Sequence, residues 1–144
     1  MTEELKQDST TTVREFLSAL ELGATGEALG LLDPDIVWKN TGLPDVRGLD
    51  RVGRALRGLD RDGLGFAVDI HHIAADGADI VLTDRTDHLR FGPVRISFWV
   101  TGTFRLREGR IVLWHDHFSF ENFFKGALVG LFRAVFDRSG AHRL

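Results

Sequence analysis

Apolar residues in the first third of the chain recur at three- and four-residue intervals. Val13, Phe16, Leu17, Leu20 and Leu22 follow Thr10, Thr11 and Thr12, any of which can cap a helix, and Gly23 ends the run. The polar segment 1–9 is expected to be unordered. Thr25 or Gly26 opens a short second helix carrying Ala28, Leu29, Leu31 and Leu32, which Asp33-Pro34-Asp35 breaks. From Ile36 the period changes to two. Ile36, Trp38 and Asn40 share one face of a strand, with Val37 and Lys39 on the other. Thr41-Gly42-Leu43-Pro44 turns the chain into a third helix, whose narrow stripe is Val52, Leu56 and Leu59 and whose solvated side carries Arg51, Arg54 and Arg57.

The alternating period then dominates. Phe66 to Ile73 places Phe66, Val68 and Ile70 together, and Asp76-Gly77 is a hairpin signal leading into Ile80–Leu89. After Gly92-Pro93, residues Val94 to Leu106 set Ile96, Phe98, Val100 and Phe104 opposite Ser97, Trp99 and Thr101. Glu108-Gly109 turns into a last strand, Ile111 to Phe120. Glu121 to Arg138 forms a closing helix that is apolar over most of its circumference, as a buried helix or a dimer contact requires. Its Gly126 and Gly130 permit close backbone approach. Helices first and antiparallel strands afterwards argue for one α+β domain spanning 1–144.

Composition narrows the possible roles. The 144 residues carry a net charge of −3, and no basic patch is interleaved with aromatics, so no nucleic-acid partner is expected. There is no cysteine, which excludes disulfides and thiolate metal sites. No apolar run has the length of a membrane span, and Met1–Thr12 lacks the basic-then-apolar order of a signal peptide, so the expected location is cytoplasmic. Eleven phenylalanines and three tryptophans without a single tyrosine suit a core or a greasy pocket poor in hydroxyl donors.

The candidate chemistry lies in Thr83-Asp84-Arg85-Thr86-Asp87. Alternation puts Val81, Thr83, Arg85, Asp87 and Leu89 on one face, so an arginine and a carboxylate stand among core-like residues. A surface strand with an ordinary ion pair fits the same pattern. Val112, Trp114, Asp116, Phe118 and Phe120 share a face of the last strand, which makes Asp116 a carboxylate on an apolar stripe. Alone it reads as a structural acid. Together the three residues suggest Asp–Arg–Asp, two acids bridged by a guanidinium. Two acids in one dry site cannot comfortably both ionise, so the pair supplies a general acid and a general base at once. His71, His72, His88, His115 and His117 lie at a strand end or on opposite faces, where a metal site would need convergence that is missing; no metal and no cofactor is expected.

Arg85-Thr86-Asp87, the block Ile111-Val112-Leu113-Trp114-His115-Asp116-His117-Phe118 and Val37-Trp38-Lys39-Asn40 together resemble the limonene-1,2-epoxide hydrolase family. The likeness runs in order from about Val13 to Phe136 and includes Phe91-Gly92-Pro93-Val94 and Phe98-Trp99-Val100, which look closest to actinobacterial members. It implies a curved mixed β-sheet wrapping a deep apolar pocket, closed by the N-terminal helices and the C-terminal helix, usually in a homodimer. That cone-shaped fold is shared with nuclear-transport-factor-like proteins, ketosteroid isomerases and scytalone dehydratase, so it does not fix the function. The resemblance also implies roles: Asp87 as the acid that protonates an epoxide oxygen, Arg85 as the bridge, Asp116 as the base that takes a proton from water, and Asn40 as a holder of that water. Trp38, Phe66, Val68, Ile70, Phe98, Trp114 and Phe118 are the expected substrate-binding residues, for a terpenoid or lipid-like epoxide opened to a diol. The family normally has tyrosine where this chain has Trp38, and an indole donates but cannot accept. A water-excluding cyclase or isomerase, or a non-catalytic binder of apolar ligands, therefore stays open.

Overall fold

A computed structural model describes residues 2–61 and 63–141. Its helices are α1 (Thr2–Glu21), α2 (Thr25–Gly30), α3 (Leu49–Arg61) and α4 (Phe120–Ala141). Its strands are β1 (Leu32–Asn40), β2 (Val46–Arg47), β3 (Gly65–Asp76), β4 (Ile80–Phe91), β5 (Val94–Arg107) and β6 (Arg110–Phe118). They form one curved, open sheet in the order β2-β1-β6-β5-β4-β3. Only β1 and β6, among the described pairs, run parallel; the others are antiparallel, so the sheet is mixed as the resemblance implies. Register shifts in β3, β6 and β1 are the kind of irregularity that bends a sheet.

The inner face of the sheet is the one α1 covers. Val13, Phe16 and Leu17 of α1 are fully buried, and Phe16 packs edge-on against Phe104 at 6.5 Å and Trp114 at 4.9 Å. Val52 and Leu56 of α3, Ile36 of β1, Val81 of β4 and Ile111 of β6 complete the core. Burial of these side chains is what holds the sheet in its curve, at roughly 1.5–3 kcal/mol for each large one.

Several boundaries differ from expectation for physical reasons. Helix α1 begins at Thr2 rather than at Thr10–Thr12, so segment 1–9 is helical from Thr2 on, while Met1 lies outside the described residues. Ser9 anchors this early turn: its hydroxyl donates to the carbonyls of Leu5, at 3.0 Å, and Ala78. Strand β1 starts at Leu32, passing through the expected Asp33-Pro34-Asp35 break by a shift in register. Strand β6 ends at Phe118, and Phe120 belongs to α4. A shift between Arg105 and Leu106 also turns Ile111 into the core in place of Val112, which is only partly buried. The short β2 was not legible in the pattern at all.

Before Val100, β5 has no partner on its β6 side among the described pairs, because the β5–β6 ladder begins at Val100 and Phe118. Helix α4 runs along this stretch of β5. Its Gly126 and Gly130 sit directly on the carbonyls of Ser97 and Arg95, where a Cβ would collide with backbone. An unpaired strand edge is thereby covered by a helix that can approach only because it lacks side chains there.

Candidate active site

The strands bring Arg85, Asp87 and Asp116 together on the inner face. Arg85 and Asp87 are alternate residues of β4, and Asp116 comes from β6, two strands away. The Arg85 side chain is the largest fully buried one among the described residues. Its Nε donates to Oδ1 of Asp87 at 2.8 Å and its Nη2 to Oδ2 at 3.1 Å, a forked contact. Nη2 also lies 2.8 Å from Oδ1 of Asp116. That Oδ1 is off the N–H axis, so the contact is an ion pair rather than a well-formed hydrogen bond. Nη1 donates to the Thr83 hydroxyl at 3.2 Å, and the guanidinium stands 6.0 Å from the Phe104 ring centroid.

Burying a guanidinium and two carboxylates is costly unless they neutralise each other. Burial disfavours the charged Arg85, but the charge of Asp116 and the hydrogen bonds and charge of Asp87 outweigh it and raise its pKa. Burial, reinforced by Asp87 and opposed by Arg85, pushes the Asp116 carboxyl up to about 6. Near neutrality it is thus an anion that accepts a proton readily.

The adjoining strand β1 lines up with β6 in parallel register, Trp38 beside Trp114 and Asn40 beside Asp116. The two indoles stack with centroids 4.3 Å apart and planes within 7°. Nε1 of Trp38, Nε1 of Trp114 and Oδ1 of Asp116 are buried without hydrogen-bond partners among the described residues. Trp114 lowers the Asp116 carboxyl slightly, although its N–H forms no aligned hydrogen bond with it. The two indole donors thus stand on the neighbouring strands that carry Asn40 and Asp116.

The remaining expected residues fall on the same face. Val68 and Ile70 of β3 stand opposite Asp87 and Arg85, and Phe66 opposite Leu89; all three are partly buried. Phe98 is paired with Asp87 across β4 and β5 and meets Phe118 at 5.7 Å. Phe123 of α4 closes over this pair, 5.1 Å from Phe98. The sequence pattern does not mark Phe123 and Phe104 as parts of the site, since both lie on elements, α4 and β5, that carry none of the three charged residues. Two surface hollows flank α1, bounded by residues such as Arg14 and Ser18, and neither is lined by the charged triad.

The histidines stay apart. His88 bonds Ser97 at 2.7 Å and Asp69 at 2.8 Å, and His72 meets Asp84 at 3.1 Å. His71 and His72 sit in the middle of β3 beside a register shift, not at its end. His115 and His117 lie against each other with ring centroids 3.8 Å apart and planes tilted by 36°, and burial with the His117 and Lys39 charges pushes His115 down. Among the described residues no three potential ligands converge on a metal position.

Known proteins resemble this chain in both sequence and fold. Residues 7–129 match the limonene-1,2-epoxide hydrolase catalytic domain. The chain is 44% identical over 123 residues to epoxide hydrolase EphG of Mycobacterium tuberculosis, covering 85% of this chain and 81% of that protein. The solved structure of an LEH-like epoxide hydrolase from M. tuberculosis superposes with a TM-score of 0.87 at 40% identity, covering 92% of this chain and 98% of the other. An NTF2-like protein of unknown function from Burkholderia pseudomallei shares the fold at a TM-score of 0.72 and 18% identity, over 83% of this chain and 97% of its own. A chain with the Asp–Arg–Asp bridge in this fold, matched over most of its length, belongs to the limonene-1,2-epoxide hydrolase family.

Proposed function

We propose that this protein hydrolyses a hydrophobic epoxide, terpenoid or lipid-like in class, to a vicinal diol by one-step general acid–base catalysis. The observation that carries the reading is the buried Arg85, held between Asp87 and Asp116 on the inner face of the sheet. Asp116 accepts a proton from water as the water oxygen attacks a ring carbon. The C–O bond breaks, and its electron pair takes the proton that Asp87 delivers to the departing ring oxygen. Asn40, in register with Asp116, holds the water. Afterwards a proton passes from Asp116 to Asp87, and the site is reset. One water is consumed and no covalent intermediate or metal is required.

The reaction starts from a proton on Asp87 and an ionised Asp116, and a carboxyl pushed up only to about 6 is largely ionised near neutrality. An epoxide oxygen only accepts, so it pairs with an Asp87 that donates, and a water donating to Asp116 favours its anion. Asn40, Trp38 and the apolar side chains around Phe98 complete the substrate site.

The test is single turnover of cyclohexene oxide in ¹⁸O-enriched water. Label is expected in the diol, and Asp116→Asn is expected to lower kcat on the order of a thousandfold. Unlabelled diol, or an undiminished Asp116→Asn enzyme, rules the mechanism out. The stacked indoles Trp38 and Trp114 favour a second reading, in which a drier wall admits a substrate hydroxyl in place of water. A cyclic ether instead of a diol from a hydroxy-epoxide would select it.

A homodimer is part of the proposal. Phe124 and Leu128 of α4 are 62% and 68% exposed, and Leu131 and Val135 also face outward. A second copy of this apolar helix is the partner such a surface fits.

A further inference from the structure

Arg85 reaches Asp116 only by passing over β5. Neighbouring strands lie about 4.8 Å apart, so the guanidinium bridges a gap of roughly 10 Å between β4 and β6. Every inward residue of β5 along this path is bulky except one: Phe98, Val100 and Phe104 carry large side chains, and Gly102 carries none. Gly102 is directly opposite Thr83 on one side and Asp116 on the other. A Cβ built at Gly102 would stand 2.5 Å from Arg85 Nη1, 2.6 Å from Thr83 Oγ1 and 3.0 Å from Cε2 of Phe104. The guanidinium thus fills the place where a side chain of residue 102 would be, and Thr83 receives its Nη1 at 3.2 Å.

We propose that Gly102 and Thr83 form the seat of the bridging guanidinium and are positioning residues for hydrolysis. The missing side chain opens the row Thr83–Gly102–Asp116, so one arginine touches both acids. The Thr83 hydroxyl then fixes the head group's rotation by holding the nitrogen that faces neither carboxylate. This inference rests on the epoxide-hydrolase reading for its kinetic consequence but not for its structural one. The clash at Gly102 is with the end of a side chain and a hydroxyl, not with backbone. A larger residue at 102 therefore displaces Arg85 while the strand still pairs.

Gly102→Ala and Thr83→Val are made in the full chain and assayed with cyclohexene oxide. Gly102→Ala is expected to lower kcat about a hundredfold with KM nearly unchanged, the effect of misplacing a reacting group by an ångström or so. Thr83→Val, which keeps the shape and removes the acceptor, is expected to cost about tenfold. Attraction to Arg85 holds the Asp116 carboxyl down. Both variants are therefore expected to move its titration above about 6, seen as the acid limb of kcat/KM and by carboxyl ¹³C NMR.

Lower stability with kcat and the Asp116 titration unchanged would mean that residue 102 matters only for packing, and overturns the proposal. If Gly102→Ala does not fold, Thr83→Val decides alone, and an unshifted titration in it is equally fatal. Wild-type protein that forms no diol from epoxides defeats the functional reading instead; the NMR titration still judges the seat.

Discussion

Asp116 is buried near a second acid, Asp87, and the burial that raises its affinity for a proton works against the fold. Its pKa is raised to about 6 in the folded chain from an ordinary 3.8, so between those values the folded state binds more protons than the unfolded one. Stability is then expected to fall as pH rises through that window, by on the order of 3 kcal/mol for this group. Urea unfolding at pH 4 and pH 7 measures it, and Asp116→Asn is expected to flatten the dependence. Activity runs the other way. kcat/KM is expected to drop as pH falls below about 6, when the base becomes protonated. A stability maximum and an activity maximum at different pH values follow from one carboxyl.

Trp38 stands where the family resemblance leads one to expect a tyrosine. Its N–H is buried, unpartnered among the described residues, and stacked beside Asp116's strand. An indole can give a hydrogen bond to water but cannot take one, so the water loses one way of being oriented. Trp38→Tyr is expected to raise diol formation severalfold, measured as kcat with cyclohexene oxide. A fall would show that the indole is an adapted part of the wall.

At the scale of elements, the telling piece is α4, which covers the β5 edge through Gly126 and Gly130. Gly130→Leu drives a side chain into the Arg95 carbonyl region and lifts the helix. A loss of more than about 2 kcal/mol is expected in urea unfolding, together with aggregation through the freed edge. Because Phe123 would leave Phe98 and Phe118, substrate affinity is expected to suffer too. The closing role of this helix was only half legible. Its apolar circumference and paired glycines could be read from spacing, but nothing in one sequence says which backbone a glycine meets. The strands were more transparent, since two-residue alternation put Arg85, Asp87, Trp114 and Asp116 on their correct faces. Alternation failed where the ladder shifts, at Val112 and at Pro34, because a bulge leaves no mark in polarity. Gly102 was invisible for a related reason: its meaning lies in a contact across two strands.

For the molecule as a whole, the outward face of α4 gathers exposed apolar side chains, Phe124, Leu128, Leu131 and Val135 among them. Leu128→Glu places a charge among them, on an element that carries none of the charged triad. The parent is expected to sediment as a dimer and the variant as a monomer at the same concentration, with the triad's pH profile unchanged. An unchanged sedimentation coefficient would place the dimer contact elsewhere or remove it. No helix among the described residues is long and apolar enough to cross a membrane.

The tryptophan stack has a practical corollary. The chain has three indoles: Trp99 is 53% exposed, while Trp38 and Trp114 are stacked together on the strands that carry Asn40 and Asp116. Its near-ultraviolet emission therefore divides into a solvent reporter and an internal one, and replacing Trp99 with Phe isolates the latter. Entry of an unreactive apolar guest, or the moment at which the parallel strands lock during refolding, can then be followed by light alone.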